Sequence, residues 1–180
     1  GFFTRQSLGR SFRLRPVMDE PLIIHDATPH DAPVIARIDA DSWNAGFGDL
    51  MPVRPFNFDR VECWRLDLDA PLPYRWWVAE LGGVVVGFAG IGPSRTPSDP
   101  ELGELDTIAI DPAHWRQGLG RTLMAVAVEH LEADGYRAAI LWTLEHYPQG
   151  QHFYEALGWQ RDGGTRHKGR QIRYRRSFAD

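Results

Sequence analysis

The chain predicts an α/β domain: a mixed central sheet of about six to seven strands flanked by about four helices. Three observations carry that class. The β-branched run Glu104–Ile110 passes through a turn at Asp111-Pro112 into Gln117-Gly-Leu-Gly120, which opens an amphipathic helix. Arg75–Glu80 and Val84–Ala89 flank Gly82-Gly83, the signature of a tight two-residue hairpin. The remaining segments alternate short β-rich runs with helical spacing, at a length of 180 residues that suits one domain.

Taken in order, Leu22–Ile24 reads as a first strand. Thr28 with Pro29 opens a first helix, whose apolar residues Val34, Ile35, Ile38 and Trp43 carry it to about Ser42. Asn44–Pro55 holds Gly46, Gly48, Pro52 and Pro55 and reads as a loop or broken helix. Phe56–Leu68 forms a second helix with Phe58, Val61, Trp64, Arg65 and Leu68 along one side. The hairpin follows, then a polar loop from Pro93 to Pro100 and the strand Glu104–Ile110. The helix from Gly118 aligns Leu119, Leu123, Ala127 and Leu131, with Met124 and Val128 beside them, and ends at Asp134-Gly135. Ala138–Trp142 is a buried strand, and a helix runs through Phe153–Leu157. Trp159–Arg161 and Lys168–Phe178 close the chain as strands around Gly163-Gly164.

Composition removes several classes of function. No apolar run approaches the ~18 residues a spanning helix needs, so no membrane role is expected. A formal charge of −4 argues against nucleic acid as partner. The basic run Arg161–Arg176 lacks interleaved aromatics apart from Tyr174 and reads as a solvated face. The single cysteine, Cys63, excludes an internal disulfide, and no His/Glu spacing reads as a metal site. A reducing, cytoplasmic setting is expected. Residues 1–21 carry Arg5, Arg10, Arg13 and Arg15 with no acid before Asp19. They read as an extension, either a leader or an expression remnant with Met18 as a candidate start, ahead of the domain at 22–180.

The Gln117–Gly120 segment carries the chemistry. Glycines let a backbone turn tightly and approach a ligand, and a helix start offers free N–H groups and a partial positive charge. Together they form an anion site suited to a phosphate-bearing cofactor. A dinucleotide fingerprint would need a glycine at Leu123, and a Walker loop would need a lysine, whereas the one lysine of the chain is Lys168. Both nucleotide readings fail.

The strand, proline turn, Gln-Gly-Leu-Gly and helix resemble the acyl-coenzyme A loop of the GNAT superfamily of N-acetyltransferases. The element order is similar to the GNAT fold over about Leu22 to Phe178. The resemblance implies acetyl-CoA as acyl donor with no metal, held by backbone groups of Arg116, Gln117, Gly118, Leu119, Gly120 and Arg121, with Thr122 close by. It implies that the strand Ile108, Ala109, Ile110 pairs with the pantetheine arm, and that one N–H there faces the thioester oxygen. It also places Tyr154, in Phe153-Tyr-Glu-Ala-Leu-Gly-Trp159, beside the sulfur, and Glu104 where some members carry the general base. Three positions depart from the family pattern: Trp115 replaces a usual Arg or Gln, Tyr147 a usual Asn at the coenzyme, and Gly150 a usual Ala.

The residues support those roles on their own chemistry. A carboxylate of pKa ~4.3 is a poor base for an ammonium near ~10 unless it acts through water or its own pKa is raised. Strand alternation puts Asp106 on the face of Glu104 in the absence of a bulge, and two such carboxylates would raise one pKa and attract a cation. Asp106, His146 and water stand beside Glu104 as candidate bases. A thiolate of ~8.5 can take a proton from a phenol of ~10 at a cost of about 2 kcal/mol, so Tyr154 serves as a candidate general acid.

The acceptor is expected to be a small-molecule or protein amine, held at the connection between the first two helices. There Trp43, Phe47 and Met51 offer apolar lining and Asp41 and Asp49 offer negative charge, with Asp106 on the strand beside Glu104 as a further candidate contact to the acceptor. A homodimer is among the expected assemblies. The expected activity is acetyl transfer to a primary amine by direct attack in a ternary complex. The rival is a catalytically silent acyl-CoA-binding sensor or partner module.

Overall fold

A computed structural model describes residues 21–178, so the expected N-terminal extension lies, apart from Pro21, outside the described residues. The chain runs through β1 (Leu22–Asp26), a short 3₁₀ turn at Pro29–Asp31, α1 (Ala32–Phe47) and α2 (Phe58–Leu68). It continues through β2 (Arg75–Leu81), β3 (Val84–Pro93), β4 (Leu102–Ile110) and α3 (Leu119–Ala133). It closes with β5 (Ala138–Leu144), α4 (Pro148–Ala156), β6 (Gln160–Arg166) and β7 (Gln171–Ser177). The mixed α/β class with seven strands and four α-helices agrees with the expectation. None of the described helices is long and apolar enough to cross a membrane.

One sheet of order β1-β2-β3-β4-β5-β7-β6 holds all the strands. Each neighbouring pair is antiparallel except β4 and β5. Side-chain alternation along β2 divides the core between the two faces. Trp76 and Val78 pack with Phe88 against Ile35 and Ile38 of α1 and Trp64 of α2. Trp77 and Ala79 turn the other way, toward Leu123, Met124 and Leu131 of α3. On the first face Trp64 stands edge-on to Trp76 at 5.1 Å and to Phe88 at 5.2 Å. Gly90 is required there, because a Cβ would lie 2.2 Å from the Trp76 ring.

Several boundaries differ from the sequence reading. Pro29 opens only a 3₁₀ turn, in which Asp31 accepts the Thr28 N–H at 2.8 Å, and α1 then runs through Gly46 to Phe47. In α2 the buried stripe is Val61, Trp64 and Leu68, while Arg65 turns outward to Glu62 and Phe58 stays 75% exposed in the first turn. The terminal hairpin does not turn at Gly163-Gly164. Those glycines form an irregularity inside β6, where the register shifts between Arg161 and Thr165. The turn lies at His167, Lys168 and Gly169, all with positive φ.

The functional consequence of this topology lies between β4 and β5. They pair only where Leu102–Glu104 meets Ala138–Ile140. Beyond that β4 stays with β3 and β5 with β7, so the sheet opens as a wedge. A bulge sits at the point of separation: Ile91 faces Leu105, yet the next residue, Gly90, faces Thr107. An extra residue in one strand increases its twist and bends it away from its neighbour.

Candidate active site

The open edge of β4 carries a defined set of backbone groups. Asp111 donates its N–H to the Val86 carbonyl at 2.8 Å, and Phe88 is the partner of Ala109. Antiparallel pairing therefore spends the N–H and C=O of Ala109 on β3, whereas those of Ile108 and Ile110 point into the wedge. The side chains of Ile108 and Ile110 pack on α3, and Ala109 faces the α1 and α2 layer. Of the three strand residues expected at the coenzyme, two aim backbone donors at the gap and Ala109 holds the strand in place.

Where β4 ends, the backbone presents a cluster of free donors. Trp115 donates its indole N–H to the Ile110 carbonyl at 2.7 Å, which folds the turn back against the strand. Arg116 (φ 64°) and Gly118 (φ 79°) both take left-handed backbone. The first bond of α3 runs from Thr122 N–H to the Gly118 carbonyl at 3.3 Å. Among the described residues, no amide from Arg116 to Arg121 has an acceptor. These successive donors sit at the positive end of a fifteen-residue helix. Thr122 is different, since its amide and hydroxyl both turn back to Gly118. Gly120 serves close approach: a Cβ there would lie 3.2 Å from Phe153 of α4. That contact brings α4, and with it Tyr154, to the loop.

Tyr154 is packed against the core beside Phe153 at 5.4 Å and Tyr174 at 6.0 Å. Burial raises its phenol well above the ordinary tyrosine range, with the Tyr147 hydroxyl adding to the effect. It therefore stays protonated at any working pH and is a costlier donor than a solvated tyrosine.

Tyr147 sits at the entry to α4 and reaches the other side of the cleft. Its ring packs edge-on against Phe47 at 4.5 Å, and Phe47 in turn meets Trp43 at 4.8 Å. The ring lies so close to Gly150 that a Cβ would come within 2.6 Å, and its hydroxyl approaches Gly46 of α1. Tyr147 and Gly150 are thus one coupled change: the larger ring occupies the space an alanine methyl would fill. The sequence placed Tyr147 with the coenzyme residues, and the structure joins it to the wall formed by Trp43 and Phe47.

That wall is braced by charge. Asp39, buried in α1, accepts from Arg54 and from Arg60, each at 2.8 Å. Arg54 stacks over Trp43 at 3.6 Å, and Asn44 clamps the Arg54 backbone through bonds of 2.7 and 2.9 Å. The segment between α1 and α2 is therefore pinned. Asp41 pairs with Arg37 at 3.3 Å, and Asp49 is exposed.

Glu104 is 8% exposed and sits where the wedge begins. Despite the bulge it shares a face with Asp106. Leu105 and Ile108 both pack toward α3, so the extra residue leaves Glu104, Asp106 and Ala109 on the α2 side. Burial raises the Glu104 pKa, Asp106 raises it further, and Arg95 and Arg166 oppose both. One oxygen, Oε1, has no hydrogen-bond partner. Asp106 is held by Arg95 at 3.1 Å and by the Thr107 hydroxyl at 2.8 Å. Asp67 of α2 feels the same cluster, its pKa raised by burial and by Asp106. Asp67 and Arg95 escaped the sequence reading, and Arg166 was read there as part of a solvated face, because only the fold brings them to β4. His146 lies exposed beyond β5.

The sequence profile of the Acetyltransferase (GNAT) family matches residues 34–159. The chain belongs to this family. Among its relatives, the uncharacterized N-acetyltransferase YuaI of Bacillus subtilis is 29% identical over 142 residues, 77% of this chain and 80% of that protein. Phosphinothricin N-acetyltransferase of Streptomyces viridochromogenes is 31% identical over 96 residues, 53% of this chain and 52% of its own length. The fold is that of PaiA N-acetyltransferase from Thermoplasma acidophilum, solved with coenzyme A. The TM-score is 0.71 at 14% identity, over 88% of this chain and 99% of that one. This GNAT protein is an acetyltransferase enzyme.

Proposed function

We propose that this acetyltransferase moves an acetyl group from acetyl-CoA to a primary amine, on a small molecule or a protein, by direct attack in a ternary complex. The observation that carries the reading is the unbroken run of acceptor-free amides from Arg116 to Arg121, beside the open edge of β4. The fit is good in two respects. Backbone donors at a helix start suit a pyrophosphate without a metal, and the inward groups of Ile108 and Ile110 suit an extended amide arm that adds to a strand edge. Bound acetyl-CoA would supply an activated thioester and a thiol leaving group.

The protein's own groups provide the rest. An N–H of Ile108 or Ile110 faces the position where negative charge develops on the carbonyl oxygen. Glu104, made more basic by burial, takes the proton lost by the acceptor ammonium, directly or through water. As the N–C bond forms the nitrogen gives up its second proton to water, and as the C–S bond breaks Tyr154 gives its phenolic proton to the leaving sulfur; solvent then reprotonates Tyr154 and takes the proton held by Glu104. Tyr147, Phe47 and Trp43 wall the acceptor side and exclude water.

Incubation with acetyl-CoA and a panel of amines, following free thiol, tests the reading. Amine-dependent thiol release with one N-acetyl product per thiol is expected. Tight coenzyme binding with no turnover on any amine would overturn catalysis in favour of a sensing module.

A further inference from the structure

A second pair of groups on this face, Trp142 and Arg166, has no acidic partner among the described residues. Ala139 and Leu141 of β5 pack toward α3, while Ile140 packs with Leu102 on the opposite side, so Trp142 shares the face of Glu104. Arg166, at the end of β6, lays its guanidinium over the Trp142 ring at 4.4 Å. Its Nε donates to the side-chain oxygen of Gln171, a neutral acceptor. Stacking and that bond hold the group in place, with both terminal nitrogens left over. Among other partly buried arginines, Arg54 and Arg60 pair with Asp39, Arg75 with Asp134 and Arg173 with Asp162, while Arg176 donates to the Leu157 carbonyl on another part of the molecule; the exposed Arg95 pairs with Asp106. Arg166 makes no ion pair among the described residues. It nevertheless lies within electrostatic reach of Glu104 and Asp106.

Charge balance then sharpens the chemistry. Arg95 neutralises Asp106 at 3.1 Å. What remains is one buried carboxylate with an unpartnered oxygen, Glu104, and one anchored cation without an acid, Arg166. The indole N–H of Trp142, between them on the same face, is also buried and unpartnered. An acid and a base this near each other that do not pair leave room for a ligand carrying both complements. A polyamine would satisfy Glu104 and place a second positive charge against Arg166.

Resting on the acetyl-transfer reading above, we propose that the acceptor is a zwitterion of the α-amino-acid class. Its ammonium meets Glu104 and its carboxylate spans the terminal nitrogens of Arg166. Arg166 is then the residue that sets specificity for an acid group next to the reacting amine.

The test compares L-amino acids with their α-amides, side chain by side chain, using acetyl-CoA and wild-type protein. Loss of a charge-assisted hydrogen bond predicts kcat/KM roughly ten- to hundredfold higher for the acid than for its amide, chiefly through KM. Arg166→Gln should bring the two within about threefold of each other. Arg166→Lys should restore part of the preference, since charge without a planar fork gives weaker recognition. Thermal unfolding of each variant checks that the hairpin is intact. Calorimetric binding of the same acid and amide pairs to protein loaded with coenzyme A reads the preference without turnover.

Amides equal to or better than acids would overturn the inference while leaving acetyl transfer standing. An acid preference that survives Arg166→Gln would remove Arg166 as the anchor. Acid-selective binding with no turnover would break the acetyl-transfer reading and keep this one. Neither binding preference nor turnover would end both.

Discussion

The two sides of the wedge are made of different material. The side proposed for the coenzyme, from Ile108 to Arg121, is built from backbone: inward N–H groups on β4, left-handed residues at Arg116 and Gly118, and a helix start. The side proposed for the acceptor is built from side chains contributed by α1, α2, β4, β5 and β6, with Asp39, Glu104 and Arg166 as its charged members. Backbone recognises what every member of a reaction class shares, because any residue able to take the required φ and ψ supplies the same donor. Side chains recognise what differs between acceptors. The comparison predicts that the coenzyme side is sensitive to conformation and tolerant of side-chain identity, and that the acceptor side behaves in the opposite way.

The largest effect should come from the conformational side. Gly118→Asp forces a Cβ residue into left-handed backbone and adds negative charge beside the free amides, so calorimetry with acetyl-CoA and a chelator should show binding abolished. Gln117→Ala, one residue away, keeps the amide and should leave affinity within about threefold, taking surface substitutions as a guide. Similar losses for both variants would break the comparison.

Next in size is the shared centre. Tyr154→Phe should lower kcat by ~10²–10⁴-fold, the range for one general acid, with coenzyme affinity little changed. Unchanged turnover would make Tyr154 a packing residue and leave protonation to water.

Glu104→Gln separates activity from stability. Between the raised Glu104 value and the pKa of the amine, the rate loss should be greatest at the low end, where few amines are neutral, and should shrink as pH climbs. A wild-type pH profile would pass the role to Asp106, His146 or water. Stability should respond with the opposite sign. Because the folded carboxyl has the raised pKa, the folded state holds the proton more tightly than the unfolded chain. Wild-type stability is then favoured below the unfolded value and declines as pH rises through the folded one. Glu104→Gln should therefore unfold at a temperature no lower than wild type at pH 8, and that margin should narrow below pH ~4.3, the ordinary glutamate value. Destabilisation at pH 8 would show that the charged form is held by Arg95 and Arg166 after all.

The smallest effect sharpens the acceptor wall. Gly150→Ala places a methyl 2.6 Å from the Tyr147 ring and should cost about 1–3 kcal/mol in urea unfolding, as overpacking does. Pairing it with Tyr147→Asn should recover most of that loss. Additive losses in the double variant would separate the two positions.

How far the sequence was legible follows the same division. The glycine loop, its helix and the buried stripe from Leu119 to Leu131 were readable because they depend on neighbours within a few residues. Tyr147 was assigned by position in a resemblance, and its partner Phe47 is a hundred residues earlier in the chain. Gly163-Gly164 read as a turn because two glycines punctuate local structure. The actual turn uses His167 and Lys168 in left-handed backbone, a choice set by pairing with β7. Arg166 gave no local signal, since an arginine in a basic strand looks solvated until a tryptophan from another strand lies beneath it.

By itself the sequence determined the α/β class, the order of its elements and a glycine-bearing helix start with free amides, since hydrophobic period and glycine placement are local properties. Tertiary structure decided where the sheet opens, which carboxylate is stripped of water, and which arginine is left without an acid. Each of those depends on segments far apart in the chain: the bulge opposite Gly90, the burial of Glu104 where β4 meets β5, and the stacking of Arg166 on Trp142. Desolvation and charge pairing are properties of a neighbourhood, and the neighbourhood exists only once the strands have met.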